Sequence, residues 1–228
     1  MPLHAGIAYA RAFVLAGAAL ALGACSSSRD QLYKQYFQVV KQSFAASFGS
    51  QRVSREEAAA IPYASMGYRV DGGPQYLLVL GSDAGGDLLW TAKSQVVIVT
   101  RDGRIVRTVG LPHDISAVTP QAGQLLSAPG DALRGAVPGT RVADFPDLPA
   151  YGVTLTCSAA AAGPQTISIL GNAIHTVRVL ESCHSAQLRW SFVDSYWIEP
   201  QSGLVWRSLQ HLHPGGETIE IETLRPPG

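Results

Sequence analysis

The sequence predicts an all-β protein, an antiparallel barrel or strongly curved sheet preceded by a short N-terminal helix. Three observations predict it. Charged residues make up only 15% of the 228-residue chain, against 46% hydrophobic ones, which argues against long solvated helices, coiled coils and disorder. The 23 Gly and 14 Pro exceed the ordinary shares of about 7% and 5%, so turns are frequent. Roughly ten short apolar or alternating runs follow one another at turn-punctuated spacing over the last three quarters of the chain. The formal net charge is zero and no Lys or Arg run is present, so the chain offers no electrostatic footprint for nucleic acid.

The first element is an address. Arg11 precedes eleven uncharged residues, 12–22, too few for a mature membrane helix, which needs about 20 residues, but suited to the apolar region of a secretory signal. The run ends in Leu22-Gly23-Ala24-Cys25, which resembles the lipobox of bacterial lipoproteins. That resemblance implies cleavage after residue 24, a diacylglycerol on the Cys25 thiol and anchoring in the membrane. Ser26, Ser27 and Ser28 then read as a flexible tether within residues 25–29. In lipoproteins of this kind an Asp after the Cys commonly causes inner-membrane retention; Ser26 in its place implies the outer membrane, with the domain in the periplasm. Residues 30–228 are expected to form one domain.

Within that domain, Tyr33, Phe37, Val40, Phe44 and Phe48 recur in steps of three and four, predicting a helix over 30–48 with its aromatic stripe on the sheet. Ser54 and Glu57 stand at capping-box spacing ahead of three alanines, so one or two further turns should precede Pro62. Strands follow. Residues 63–70 and 75–80 flank Asp71-Gly72-Gly73-Pro74 and should form a hairpin. Residues 88–91 come next, and then 95–100 and 104–109 flank Asp102-Gly103, whose two positions accept φ > 0 and predict a two-residue hairpin. Arg104, Arg107 and Thr108 among Ile105, Val106 and Val109 alternate imperfectly and suit a strand with one wet face.

Residues 110–152 carry six prolines, which should exclude central strands and leave a packed irregular connection with a short helix near 128–135. Leu125, Leu126, Leu133, Val142 and Phe145 give that connection something to bury. Strands resume at 153–157, 165–170, 175–182, 188–198, 204–211 and 217–224. Alternation alone does not say whether the enclosed space is filled or hollow.

Candidate chemistry is sparse. With Cys25 lipidated, Cys157 and Cys183 remain, and in an oxidising compartment they are expected to pair; buried free thiols are the alternative. No structural zinc spacing surrounds Cys183-His184 or His211 and His213, so no metal and no cofactor is expected. No nucleophile elbow, metalloprotease motif or phosphate-binding loop appears, and no catalytic residues are assigned. Glu220 and Glu222 would lie about 7 Å apart on one strand face, within reach of an acid/base pair. Their alternation with Ile219 and Ile221 favours a solvated outer face instead. Trp90, Trp190, Trp197 and Trp206 are the glycan-contact candidates, since aromatic faces make sugar platforms, although Trp and Tyr on strands also belong in cores. Tyr196 and Trp197 are adjacent and must face opposite sides.

The lipobox, Ile61-Pro62-Tyr63-Ala64-Ser65-Met66, the run Leu77 to Gly81, Leu89-Trp90, the stretch Val99 to Thr108 and the late segment Ser195 to Ser208 together resemble the YjbF family of bacterial lipoproteins. The resemblance implies a mainly β, barrel-like domain at the outer membrane and a part in producing, exporting or assembling an exopolysaccharide or capsule. It implies polysaccharide-secretion proteins as partners, with the polysaccharide itself as a further candidate, and brings no catalytic residues. The competing readings are a glycan- or lipid-binding periplasmic module, the lipid carrier needing a hollow apolar interior, and after them a polysaccharide-modifying enzyme.

Overall fold

The computed structural model describes residues 52–123, 126–148 and 150–228. The expected signal, Cys25 and the helix over 30–48 lie outside the described residues. Twelve antiparallel strands form one sheet that curves into a nearly closed barrel, bearing out the all-β expectation. A single turn and a half of helix, α1 (Arg55–Ala59), precedes it, capped as the sequence predicts: Ser54 Oγ accepts from Glu57 N at 3.1 Å, and the Glu57 carboxylate accepts from Ser54 N at 2.8 Å.

The strands are β1 (Ser65–Val70), β2 (Tyr76–Ala84), β3 (Asp87–Thr91), β4 (Val97–Arg101), β5 (Arg104–Val109), β6 (Ala117–Pro120), β7 (Val137–Phe145), β8 (Ala150–Ile169), β9 (Asn172–Ser185), β10 (Trp190–Ile198), β11 (Val205–His211) and β12 (Thr218–Arg225). Each pairs with its sequence neighbours, β1 pairs with β12, and the open seam falls between β5 and β6. There the bond from Thr108 N to Ile115 O, at 2.9 Å, ties β5 to the chain leading into β6. The predicted Asp102-Gly103 hairpin is present, with φ of 51° and 79°. A Cβ on Gly103 would come within 2.5 Å of Val205, so glycine is required there by contact as well as by conformation.

The proline-rich stretch has the short helix expected near 128–135 but departs from expectation in forming strands. It supplies β6, the nine-residue β7 and a 3-10 helix (Pro129–Arg134). Pro138 is tolerated because β6 pairs only with residues 141–144 of β7, leaving one side of the strand open at Pro138. Residues 153–157 and 165–170, read as two strands, fall on the single 20-residue β8, which ends at Ile169, with Leu170 in the turn. The Ala-rich segment between them stays extended because β9 pairs with it, through a register shift between Ala161 and Gly163.

Inward residues form three apolar clusters. Phe145, Leu155, Phe192 and their neighbours make the first; Leu78, Ile98, Ile105 and Ile221 belong to the second; Val179, Tyr196 and Ile198 anchor the third. At about 25 cal/mol per Å² of apolar surface buried, these contacts are the main source of stability.

Candidate functional site

Polar residues fill the space between the apolar clusters. Glu181 on β9 is 2% exposed and lies at the centre of an ion network. Arg104 Nη2, from β5, sits 2.6 Å from Glu181 Oε1, and Arg141 Nη1, from β7, sits 2.9 Å from Oε2. The Tyr196 hydroxyl donates to Glu181 Oε2 at 3.3 Å. Asp194 lies 3.8 Å from Arg141 Nη2 and accepts from the His211 backbone N at 2.8 Å. Two arginines thus face two acids, and the network is neutral when all four are ionised.

Burial alone would raise the Glu181 carboxyl, but Arg104 and Arg141, helped by hydrogen bonds from Arg141 and Tyr196, hold it below the ordinary carboxylate value. Burial wins at Asp194, whose carboxyl is raised despite the bonds from His211 and the charge of Arg141. Burial, and next to it the Glu181 charge, pushes the Tyr196 phenol well up, so that it remains a donor. Gln210 completes the interior. Its Oε1 accepts from Ile105 N at 2.9 Å, and its Nε2 donates to Gly103 O at 3.0 Å and Ser208 Oγ at 2.8 Å. One amide therefore ties β11 to the β4–β5 hairpin.

Among the described residues, side chains fill the barrel around this network. Cavities of about 20 Å³ beside Arg104, Arg141 and Asp194 and about 10 Å³ beside Cys157 and Glu181 remain inside, each on the scale of one water at most. A larger recess of about 370 Å³ opens at the end carrying the β2–β3, β4–β5 and β10–β11 turns, with Asp83, Asp102 and Leu204 at its wall. The hollow apolar interior that a lipid carrier needs is not found among the described residues.

Cys157 and Cys183 face each other across β8 and β9 with Cα atoms 4.1 Å apart and are joined as a disulfide. The tryptophans do not share a face. Trp90 is 3% exposed and donates to Thr100 Oγ1, so it offers no platform. Trp190 stacks on Phe192 at 4.1 Å and meets the edge of Phe145. Trp206 is half-buried where β11 bulges against β10. Trp197 faces outward between its cross-strand partners Arg178 and Arg207, whose guanidinium carbons lie 5.3 and 5.8 Å from the ring centre.

The expectation that Glu220 and Glu222 line a solvated face is corrected. Glu222 is 2% exposed, pairs with Arg207 and with Arg52 Nη1 at 2.6 Å, and accepts from Gln75 Nε2 at 2.7 Å. The segment leading into α1 covers this outer face: Val53 N donates to Gln75 Oε1 at 2.9 Å, and Arg52 also reaches Glu220 at 3.1 Å. Arginine partners from neighbouring elements, invisible to strand alternation, remove the carboxylates from water. The inner network escaped sequence reading for the same reason. Arg104 reads as the wet side of its strand, yet it points inward.

Comparisons with known proteins agree with this architecture. The family described as "Group 4 capsule polysaccharide lipoprotein gfcB, YjbF" matches residues 39–224. "Uncharacterized lipoprotein GfcB" of Escherichia coli (strain K12) is 27% identical over 225 residues, covering 95% of this chain and 99% of that protein. "Uncharacterized lipoprotein YjbF" of the same organism is 28% identical over 211 residues, covering 90% and 92%. The crystal structure of the hypothetical lipoprotein YmcC from Escherichia coli (K12) superimposes with a TM-score of 0.64 at 23% identity, covering 77% of this chain and 90% of that one, a likeness of fold. With four fifths of its length matched and its barrel shared, the chain belongs to the YjbF family of group 4 capsule polysaccharide lipoproteins.

Proposed function

We propose that the protein is an outer-membrane lipoprotein that assists capsule or exopolysaccharide production, export or surface assembly without catalysing a reaction. Membership of the capsule polysaccharide lipoprotein family carries this reading. Residues 1–24 are the signal, Cys25 carries the lipid, residues 25–29 are the tether and residues 30–228 the periplasmic domain. Two acyl chains on one anchor hold a protein stably in a membrane, and tethering lets weak contacts with secretion partners suffice. Mutual pairing of the buried acids and arginines, and an interior with room for single waters, support a structural role for those charges.

Deleting the protein should reduce surface polysaccharide. Cys25→Ser should abolish detergent-phase partitioning and fail to restore it. Asp83→Asn and Asp102→Asn, in the recess of about 370 Å³, should restore it fully. Abrupt loss in either variant, with normal folding and localisation, would identify an enzyme, and unchanged polysaccharide in the deletion strain would remove the assignment.

A further inference from the structure

The barrel end opposite the recess gathers a cluster that the capsule assignment leaves unused. His113 comes from the β5–β6 connection, Asp147 from the β7–β8 turn, and His213 and Glu217 from the β11–β12 connection. One potential ligand atom each from His113, Asp147 and His213 lie within 4.8 Å of one another.

His213 is 6% exposed, yet neither ring nitrogen makes a hydrogen bond. Its Nε2 lies 3.1 Å from Asp147 Oδ2, close enough for attraction but not aligned as a donor. The edge contact with Phe145, ring centres 6.0 Å apart, and the close approach of Gly216, where an added Cβ would meet the His213 Cβ at 2.7 Å, hold the ring in place. A buried imidazole with no aligned hydrogen bond at either nitrogen, and one carboxylate within reach, is a group that a ligand would satisfy. Opposite it, His113 Nδ1 lies 2.8 Å from Glu217 Oε2. A carboxylate on one ring nitrogen fixes the tautomer and leaves the other nitrogen's lone pair free, the arrangement that orients metal-binding histidines.

We propose that His113, Asp147 and His213 bind a divalent transition metal of the zinc class, with Glu217 orienting His113. Two imidazoles and a carboxylate suit a borderline ion such as Zn²⁺ far better than Mg²⁺ or Ca²⁺, which take oxygen ligands. Three protein ligands leave a fourth position for water or for a donor from a partner. The two rings stack at 4.5 Å and 18°, so their lone pairs run side by side rather than converging. Metal entry therefore turns the His113 ring, whose side chain is 35% exposed. Nitrogen and oxygen ligands at about 2.0–2.2 Å from a tetrahedral ion draw the three groups closer together than they now stand. The ion would clip together three connections far apart in sequence.

The test uses the full-length lipoprotein, without an affinity tag, in detergent and stripped with chelator. Titration with ZnCl₂ followed by calorimetry should show one saturable site per chain, and the same ion should raise Tm while MgCl₂ and CaCl₂ do not. His113→Ala, on a partly exposed side chain, should weaken zinc binding at least tenfold without lowering the Tm of the metal-free protein by more than a few degrees. Glu217→Gln should weaken it about tenfold to a hundredfold. Absence of a stoichiometric zinc site overturns the proposal, as does equal affinity in wild type and His113→Ala.

Discussion

Glu181 and Glu222 are both 2% exposed and both held by two arginines, but they lie on opposite faces of the barrel wall. Around Glu181 one partner, Tyr196, comes from β10, paired directly with β9, while the two arginines come from β7 and β5, farther around the barrel. Around Glu222 they come from adjacent β11 and from the segment just before α1. The inner cluster therefore depends on the whole barrel being closed in one register. The outer cluster seals a lead-in segment onto a wall that already exists. Solvent separates them further, since Arg104 and Arg141 are nearly inaccessible whereas the Arg52 side chain is 42% exposed.

Removing the inner carboxylate should have the largest effect. Glu181→Gln leaves two buried guanidinium groups facing Asp194 alone, and breaking a buried pair in this way costs about 3–5 kcal/mol. Denaturant unfolding of the purified domain measures it; a loss under 1 kcal/mol would mean that the interior is wetter than its packing implies. The same variant tests the pH behaviour. Glu181 has its folded value lowered, so its contribution is present above the ordinary value of 4.5 and is lost as pH falls through the folded one. Asp194, raised, works the other way: its contribution is complete below its ordinary value of 3.8 and is lost as pH rises through the folded one. Because the two oppose each other, the difference between wild type and Glu181→Gln isolates Glu181: the stability advantage of wild type should shrink as pH falls below 4.5, and an unchanged advantage would refute the assignment.

The next effect belongs to the disulfide that braces the wall beside Glu181. Cys157 and Cys183 are 26 residues apart, and the chain-entropy treatment of a loop that long gives about 3 kcal/mol. A Cys157→Ser, Cys183→Ser double variant should lose that stability yet keep its far-ultraviolet spectrum, because β8 and β9 pair along thirteen residue positions without the bond. Two titratable thiols in denatured, unreduced wild type would show the bond to be absent.

These two sites also mark what was legible in the sequence. With Cys25 set aside for the lipid, composition and compartment made pairing of the other two cysteines the expectation and left free thiols as the alternative; the structure joins them. The hairpin at Asp102-Gly103 was equally plain, because its turn chemistry is local. Arg104 and Glu181 were not, because alternation assigns a charged strand residue to water and only a distant partner can reverse that. Pro138 misled in the other direction, since proline forbids a strand only where both of its sides are paired. The Ala-rich middle of β8 has weak strand preference of its own and is extended by β9.

On the outer wall the effects should be smaller. Glu222→Gln keeps an acceptor for Gln75 or Arg207 and leaves Arg52 able to reach water, so a loss of about 1–3 kcal/mol is expected, in the range for a charged hydrogen bond. Proteolysis should report it more sharply than global unfolding, since the lead-in segment would detach before the barrel opens. If cleavage near residue 52 is not accelerated, the carboxylate does not hold that segment.

The smallest effect concerns the continuation of the outer cluster past Arg207. Trp197 sits between Arg178 and Arg207 in direct cross-strand register, and Arg207 in turn grips Glu222, so four side chains on β9, β10, β11 and β12 form a ladder across the wall. Arg178 also donates to Ser195 Oγ at 3.0 Å, which a single truncation would confound with its contact to the ring. A double-mutant cycle with Arg178→Ala and Trp197→Leu cancels that bond and isolates the guanidinium–indole coupling, expected at about 0.5–1 kcal/mol for a partly exposed pair. A coupling of zero would mean that the arginines are placed by Ser195 and Glu222 alone, with the indole merely filling the space between them.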